Sequence, residues 1–79
     1  MEFSVLIERR ALKQIQKLDQ KVSSRIVEAL AELGKGFSAR LDIKKLKGYR
    51  NHYRIRIGNY RILFEVREGK MIVVYAILP

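Results

Sequence analysis

Three arginines, Arg54, Arg56 and Arg61, fall within the stretch HYRIRIGNYRILF, residues 52–64. Arg54 and Arg56 alternate with Tyr53, Ile55 and Ile57, and Arg61 and Leu63 alternate with Tyr60, Ile62 and Phe64. Alternation of period two is a strand signal, and Gly58-Asn59 between the runs is a two-residue hairpin signal. Taken literally, that turn sets Arg56 opposite Arg61, Arg54 opposite Leu63 and His52 opposite Glu65. It also pairs Ile57 with Tyr60, Ile55 with Ile62, and Tyr53 with Phe64. Side chains directly opposite each other share a face. Tyr53, Ile55, Ile57, Tyr60, Ile62, Phe64 and Val66 therefore make an apolar face, and the three arginines gather on the other. Like charges opposite each other cost about 0.2–1 kcal/mol. Clustered guanidiniums bind phosphate oxygens through forked, charge-assisted hydrogen bonds. They also stabilise the extra negative charge of a phosphoryl-transfer transition state. The plainer alternative is that the arginines lie over Leu63 and Val74 and do no chemistry.

The remaining inventory is thin. His52 is the only histidine. It ends the arginine-bearing run opposite Glu65, where it is either a base oriented by a carboxylate or, as is commoner at a strand end, a surface residue. Glu65 reads as a charge balance. No carboxylate pair, nucleophile motif, metal-ligand cluster or phosphate-cradling glycine loop is present. Any reaction here would rest on positioning and electrostatics, with no metal and no cofactor. Tyr53 and Tyr60 fall on the apolar face, and Tyr75 joins them if the second hairpin also has a two-residue loop. Tyr49, in a basic stretch, is the one tyrosine placed to stack on a nucleobase.

The elements that must position these side chains follow from pattern. The chain has 79 residues and no cysteine, enough for one domain spanning 1–79. The net charge is +9. Residues 1–39 contribute +2 and residues 40–79 contribute +7, so the excess is localised. Nucleic acid, an anionic membrane or an acidic protein are the usual partners of such a surface. The N-terminal run is neither a signal peptide nor a membrane span, so a soluble, cytoplasmic protein is expected.

FSVLI (3–7) predicts a mostly buried strand. RRALKQIQKL predicts a helix with Ala11, Leu12, Ile15 and Leu18 inward and Arg10, Lys13, Gln14 and Lys17 as an outer ridge. Asp19 suits an N-cap, and Val22, Ile26, Ala29, Leu30 and Leu33 give a second helical stripe. Gly34 and Gly36 stop it with left-handed geometry. Residues 37–51 read as an ordered connection in which Ile43 and Leu46 anchor one helical turn, made basic by Lys44, Lys45, Lys47 and Arg50. MIVVYAIL, apolar on both faces, predicts a central strand after a turn at Glu68-Gly69. The fold class is α+β: a strand, a two-helix hairpin, then an antiparallel three-strand meander, with the helices on one face of the sheet.

At this point ERRALKQIQKL and, more specifically, KKLKGYRNHYRIRIGNYRILFEV resemble the RelE/ParE toxin superfamily of toxin–antitoxin modules. The likeness covers nearly the whole chain. It implies the fold just described and, for RelE-type members, cleavage of mRNA in the ribosomal A site. There the ribose 2′-hydroxyl attacks the adjacent phosphate without a metal. By position, Arg54, Arg56 and Arg61 match the family's working basic residues. Arginine, with a pKa above about 12, is a poor proton acceptor, so these side chains are expected to bind phosphate. Lys44, Lys45, Lys47, Arg50, Tyr49 and His52 are expected to bind RNA. A cognate antitoxin is the implied protein partner, covering the basic surface and the apolar part of the open sheet face. Family members usually continue with an Arg and a Tyr after the last strand, whereas this sequence stops at AILP, so weakened or absent cleavage is expected. Two other functions remain open: a ParE-like inhibitor of DNA gyrase that cleaves nothing, and a non-catalytic RNA- or ribosome-binding module.

Overall fold

The computed structural model describes residues 2–79. Gly58 takes φ +57°, a left-handed geometry that glycine adopts without penalty and that the first central residue of a type II′ hairpin turn requires. The strands on either side, β3 (His52–Ile57) and β4 (Tyr60–Arg67), pair in the expected register from Ile57 with Tyr60 to His52 with Glu65. The other elements are β1 (Ser4–Ile7), α1 (Arg9–Gln16), α2 (Gln20–Leu33), β2 (Asp42–Lys45) and β5 (Met71–Leu78). The strands form one sheet in the order β1-β5-β4-β3-β2, with β1 parallel to β5 and all other pairs antiparallel. Both helices cover one face. Ala11 and Ile15 of α1 and Ile26, Leu30 and Leu33 of α2 pack on Ile55, Ile62, Phe64, Ile72, Val74 and Ile77. The α+β class and the helix-covered apolar face stand as the sequence predicts. No described helix is long and apolar enough to cross a membrane.

Residues 37–51 do not form a helical turn. Part of this segment is β2, an edge strand that pairs Ile43 with Ile55 and Asp42 with Arg56. Leu41 and Ile43 turn toward the core while Asp42 and Lys44 stay exposed. This is period-two alternation, hidden by its brevity. A short, charged edge strand also discourages pairing with other chains.

The first strand is less buried than its composition suggests. It lies at the other edge of the sheet, and Leu6 on its uncovered side is 48% exposed. Leu12 is likewise exposed, because the eight-residue α1 turns only Ala11 and Ile15 fully inward. Asp19 caps α2 by accepting from the Lys21 amide at 3.2 Å. Gly34 is right-handed, with φ −60°, and the positive φ belongs to Gly36 at 128°. What Gly34 supplies is closeness. Its carbonyl accepts from Phe3 N–H at 2.7 Å, and a Cβ there would lie 3.4 Å from Val5 Cγ2.

Gln14 departs from the outer ridge assigned to it. Strand β1 pairs with β5 only as far as Ile7 and Val74. Past that point β5 needs another acceptor on its β1 side, and Gln14 Oε1 accepts from the Ile77 amide at 2.7 Å. Replacing Gln14 by alanine orphans a buried N–H and should cost about 1–3 kcal/mol in urea unfolding. Lys13→Ala on the same helix, at an exposed position, should stay within about 0.5 kcal/mol.

Candidate nucleic-acid interface

Strand alternation puts Arg54, Arg56 and Arg61 on the sheet face opposite the helices. Arg56 and Arg61 are direct cross-strand neighbours, and both are exposed. With Arg54, Asn59 and Pro79 they line a shallow groove of about 330 Å³. Arg61 Nη2 donates to the Pro79 carbonyl at 3.2 Å. Among the described residues, neither Arg56 nor Arg61 has an Asp or Glu carboxylate within ion-pairing distance.

Arg54 is held differently. Its side chain is only 18% exposed and is pinned to β2. Nη1 donates to the Asp42 carbonyl at 3.1 Å and to Asp42 Oδ1 at 3.3 Å. Asp42 also stands opposite Arg56 in the sheet. It therefore orients one arginine and offsets part of the positive charge of the cluster. Sequence reasoning missed Asp42 because it read the segment as a connection. The arginines do not lie over Val74, which turns toward the helices. Leu63 is opposite Ala76 on this face.

The other basic residues separate. Lys44 pairs with Arg54 and shares its face. Lys45 pairs with Tyr53 and belongs to the helix side, although it is exposed. Lys47, Tyr49 and Arg50 are exposed in the turn between β2 and β3, where they line a second shallow concavity.

At the β2–β3 end of the arginine face is a cluster in which the sequence foretells His52 opposite Glu65 but not Tyr75. His52 Nδ1 is 2.9 Å from the Tyr75 hydroxyl, and His52 Nε2 is 3.7 Å from Glu65 Oε2. The Tyr49 ring lies 6.0 Å from the His52 ring, centroid to centroid. Tyr53 and Tyr60 pack against the core as expected, but Tyr75 does not. The reason is register. Arg67 pairs with Met71, so the loop holds Glu68, Gly69 and Lys70, one residue more than expected. A further shift between Leu63 and Phe64 leaves Tyr75 as the extra residue of a bulge between Val74 and Ala76. A one-residue slip exchanges the faces of a strand, and a bulge re-aims a side chain. Burial raises the Tyr75 pKa, and the negative charge of Glu65 and the Tyr49 phenol raise it further. The hydroxyl therefore keeps its proton at neutral pH, and the direction of its hydrogen bond with His52 Nδ1 is set by the ring tautomer.

Residues 5–79 match the family described as the ParE toxin of type II toxin–antitoxin systems, parDE. The chain is 39% identical to Toxin RelE3 of Methanocaldococcus jannaschii over 71 residues, covering 86% of this chain and 81% of that protein. The fold is similar to the toxin in the RelB–RelE antitoxin–toxin complex from Methanococcus jannaschii, with TM-score 0.80 and 37% identity over 92% of this chain and 87% of that one. It is also similar to the archaeal RelE–RelB complex from Pyrococcus horikoshii OT3, with TM-score 0.86 and 27% identity over 100% of this chain and 96% of that one.

Ultraviolet titration of the chain minus that of Tyr75→Phe isolates the Tyr75 phenol. It should ionise above the ordinary tyrosine value of 10.0, and Glu65→Gln should bring it part of the way down, because burial remains. The folded state holds this proton more tightly than the unfolded chain. The associated stability is intact below the unfolded value and is lost as pH rises through the folded one. Tyr75→Phe should therefore remove part of the alkaline loss of stability, read as unfolding midpoint against pH.

Proposed function

Because the chain belongs to the RelE/ParE superfamily of type II toxins, we propose that it cleaves mRNA on the ribosome without a metal and is held inactive by a cognate antitoxin. The observation that carries this reading is the Arg56–Arg61 cross-strand pair on the face the helices leave bare. RNA cleavage of this kind needs no cofactor. The 2′-oxygen forms a bond to the adjacent phosphorus, the bond to the 5′-oxygen breaks, and a 2′,3′-cyclic phosphate results. Negative charge grows on the non-bridging oxygens between these events. Guanidiniums fixed before the substrate arrives stabilise that charge with little reorganisation. Arg56 and Arg61 are the exposed members that would grip the phosphate. Arg54, tethered to Asp42, would steady the floor of the groove.

Lys44 would extend the positive field along the same face, and Lys47 and Arg50 would draw the RNA backbone toward it from the adjoining turn. The exposed Tyr49 ring would offer a base a stacking surface. The antitoxin reading is supported by the two solved relatives, each of which is a RelB–RelE complex. An acidic or amphipathic segment suits this surface by charge. Such a protein would act in the cytoplasm.

The match to a family named for ParE favours a second reading, inhibition of DNA gyrase without nuclease activity. Primer extension on translated mRNA separates the two. The wild-type chain should produce discrete stops, and Arg61→Ala should weaken them by about 10²-fold, as loss of one preorganised donor does. Stops unchanged by Arg61→Ala would remove the role given to that arginine. Inhibited supercoiling with intact mRNA would establish the gyrase reading instead.

A further inference from the structure

Arginine supplies charge but does not accept the proton that leaves the 2′-hydroxyl. The nuclease reading therefore lacks an acceptor, and the His52–Tyr75 pair stands on the same face. His52 is one strand repeat from Arg54, about 7 Å along β3, and two repeats from Arg56, about 13 Å. Its two ring nitrogens face different partners, the Tyr75 hydroxyl at 2.9 Å and Glu65 Oε2 at 3.7 Å. Arg67 Nε donates to the other oxygen of Glu65 at 2.8 Å, which fixes the carboxylate. Tyr75 is half-buried and reaches this face because the loop between β4 and β5 holds three residues. Packing alone does not require a tyrosine at this position of an otherwise apolar strand.

We propose that Tyr75 and His52 form a proton relay for RNA cleavage, an assignment that rests on the nuclease reading above. The Tyr75 oxygen meets the ribose 2′-hydroxyl and takes its proton while passing its own to His52 Nδ1. The electron pair left on the 2′-oxygen forms the new bond to phosphorus. The 5′-oxygen leaves with the electrons of the broken bond and takes a proton from water. Glu65 stabilises the imidazolium until solvent removes the extra proton. The raised Tyr75 pKa suits this sequence of transfers, since the phenol starts protonated and returns to that state. The charged and titratable groups around the relay are Glu65 and Arg67 on β4, Tyr49 before β3, Arg54 on β3 and Lys44 on β2. Tyr75 is the catalytic residue in this scheme, and His52 and Glu65 act through it.

The test is a pH profile of single-turnover cleavage on translating ribosomes, for wild type, Tyr75→Phe, His52→Asn and Glu65→Gln. Wild type should show an acidic limb, where protonation of the ring removes the acceptor. Tyr75→Phe and His52→Asn should slow cleavage by on the order of 10²-fold or more and erase that limb, with ribosome binding retained. Glu65→Gln should slow cleavage by a smaller factor than His52→Asn, because it acts only through the ring. Rates within about threefold of wild type, well short of the usual acid–base contribution, would overturn the relay. So would a loss of the same size at every pH with the limb intact, which marks a structural role. Cleavage that depends on Arg61 but not on His52 or Tyr75 rejects the relay alone. A wild-type chain that cuts nothing rejects both the relay and the nuclease reading.

Discussion

A turn of two residues governs this molecule. Gly58 and Asn59 fix the offset between β3 and β4, and that offset decides which side of the sheet each of their side chains occupies. With the offset as it is, Ile55, Ile62 and Phe64 are sealed under the helices while Arg56 and Arg61 meet on the far side. A slip of one residue would drive the guanidiniums into the core. The burial that stabilises the domain therefore also holds the basic face in place. The apolar face cannot form without gathering positive charge on the other, so no separate scaffold is needed for the site.

The sheet handles that charge according to water access. Arg56 and Arg61 are exposed, and solvent and salt screen their mutual repulsion. Arg54 is largely withdrawn from solvent, where an unpaired charge is expensive. It is also the arginine that receives a carboxylate, from Asp42. The compensation is placed where desolvation is greatest, and the accessible pair remains available for an anion. The same logic applies to His52, which is partly covered and bracketed by a carboxylate and a phenol.

Much of this was legible in the sequence, and the losses have physical causes. The arginine register was readable because Gly-Asn flanked by alternating residues leaves few pairings open. The α2 stripe was readable because five apolar residues recur at helical spacing. Tyr75 was misplaced because the second loop is one residue longer than Glu68-Gly69 suggests. Lys70 takes φ +56°, a conformation that nothing in a lysine announces. Strand β2 was missed because four residues of alternation do not stand out from a charged loop. Gln14 was assigned to solvent by helical spacing, and its partner, Ile77, lies 63 positions away. No local pattern contains that contact.

The parallel pairing of β1 with β5 has a consequence for how the chain is made. Ser4 is matched with Met71, so the first strand waits for the last one before it gains a neighbour. Closing so long a loop is entropically unfavourable until the final contacts reward it. A ribosome synthesising this chain therefore carries an unfinished sheet until β5 has emerged. The basic face is spared that wait, since β2, β3 and β4 are near neighbours in sequence and pair with one another directly.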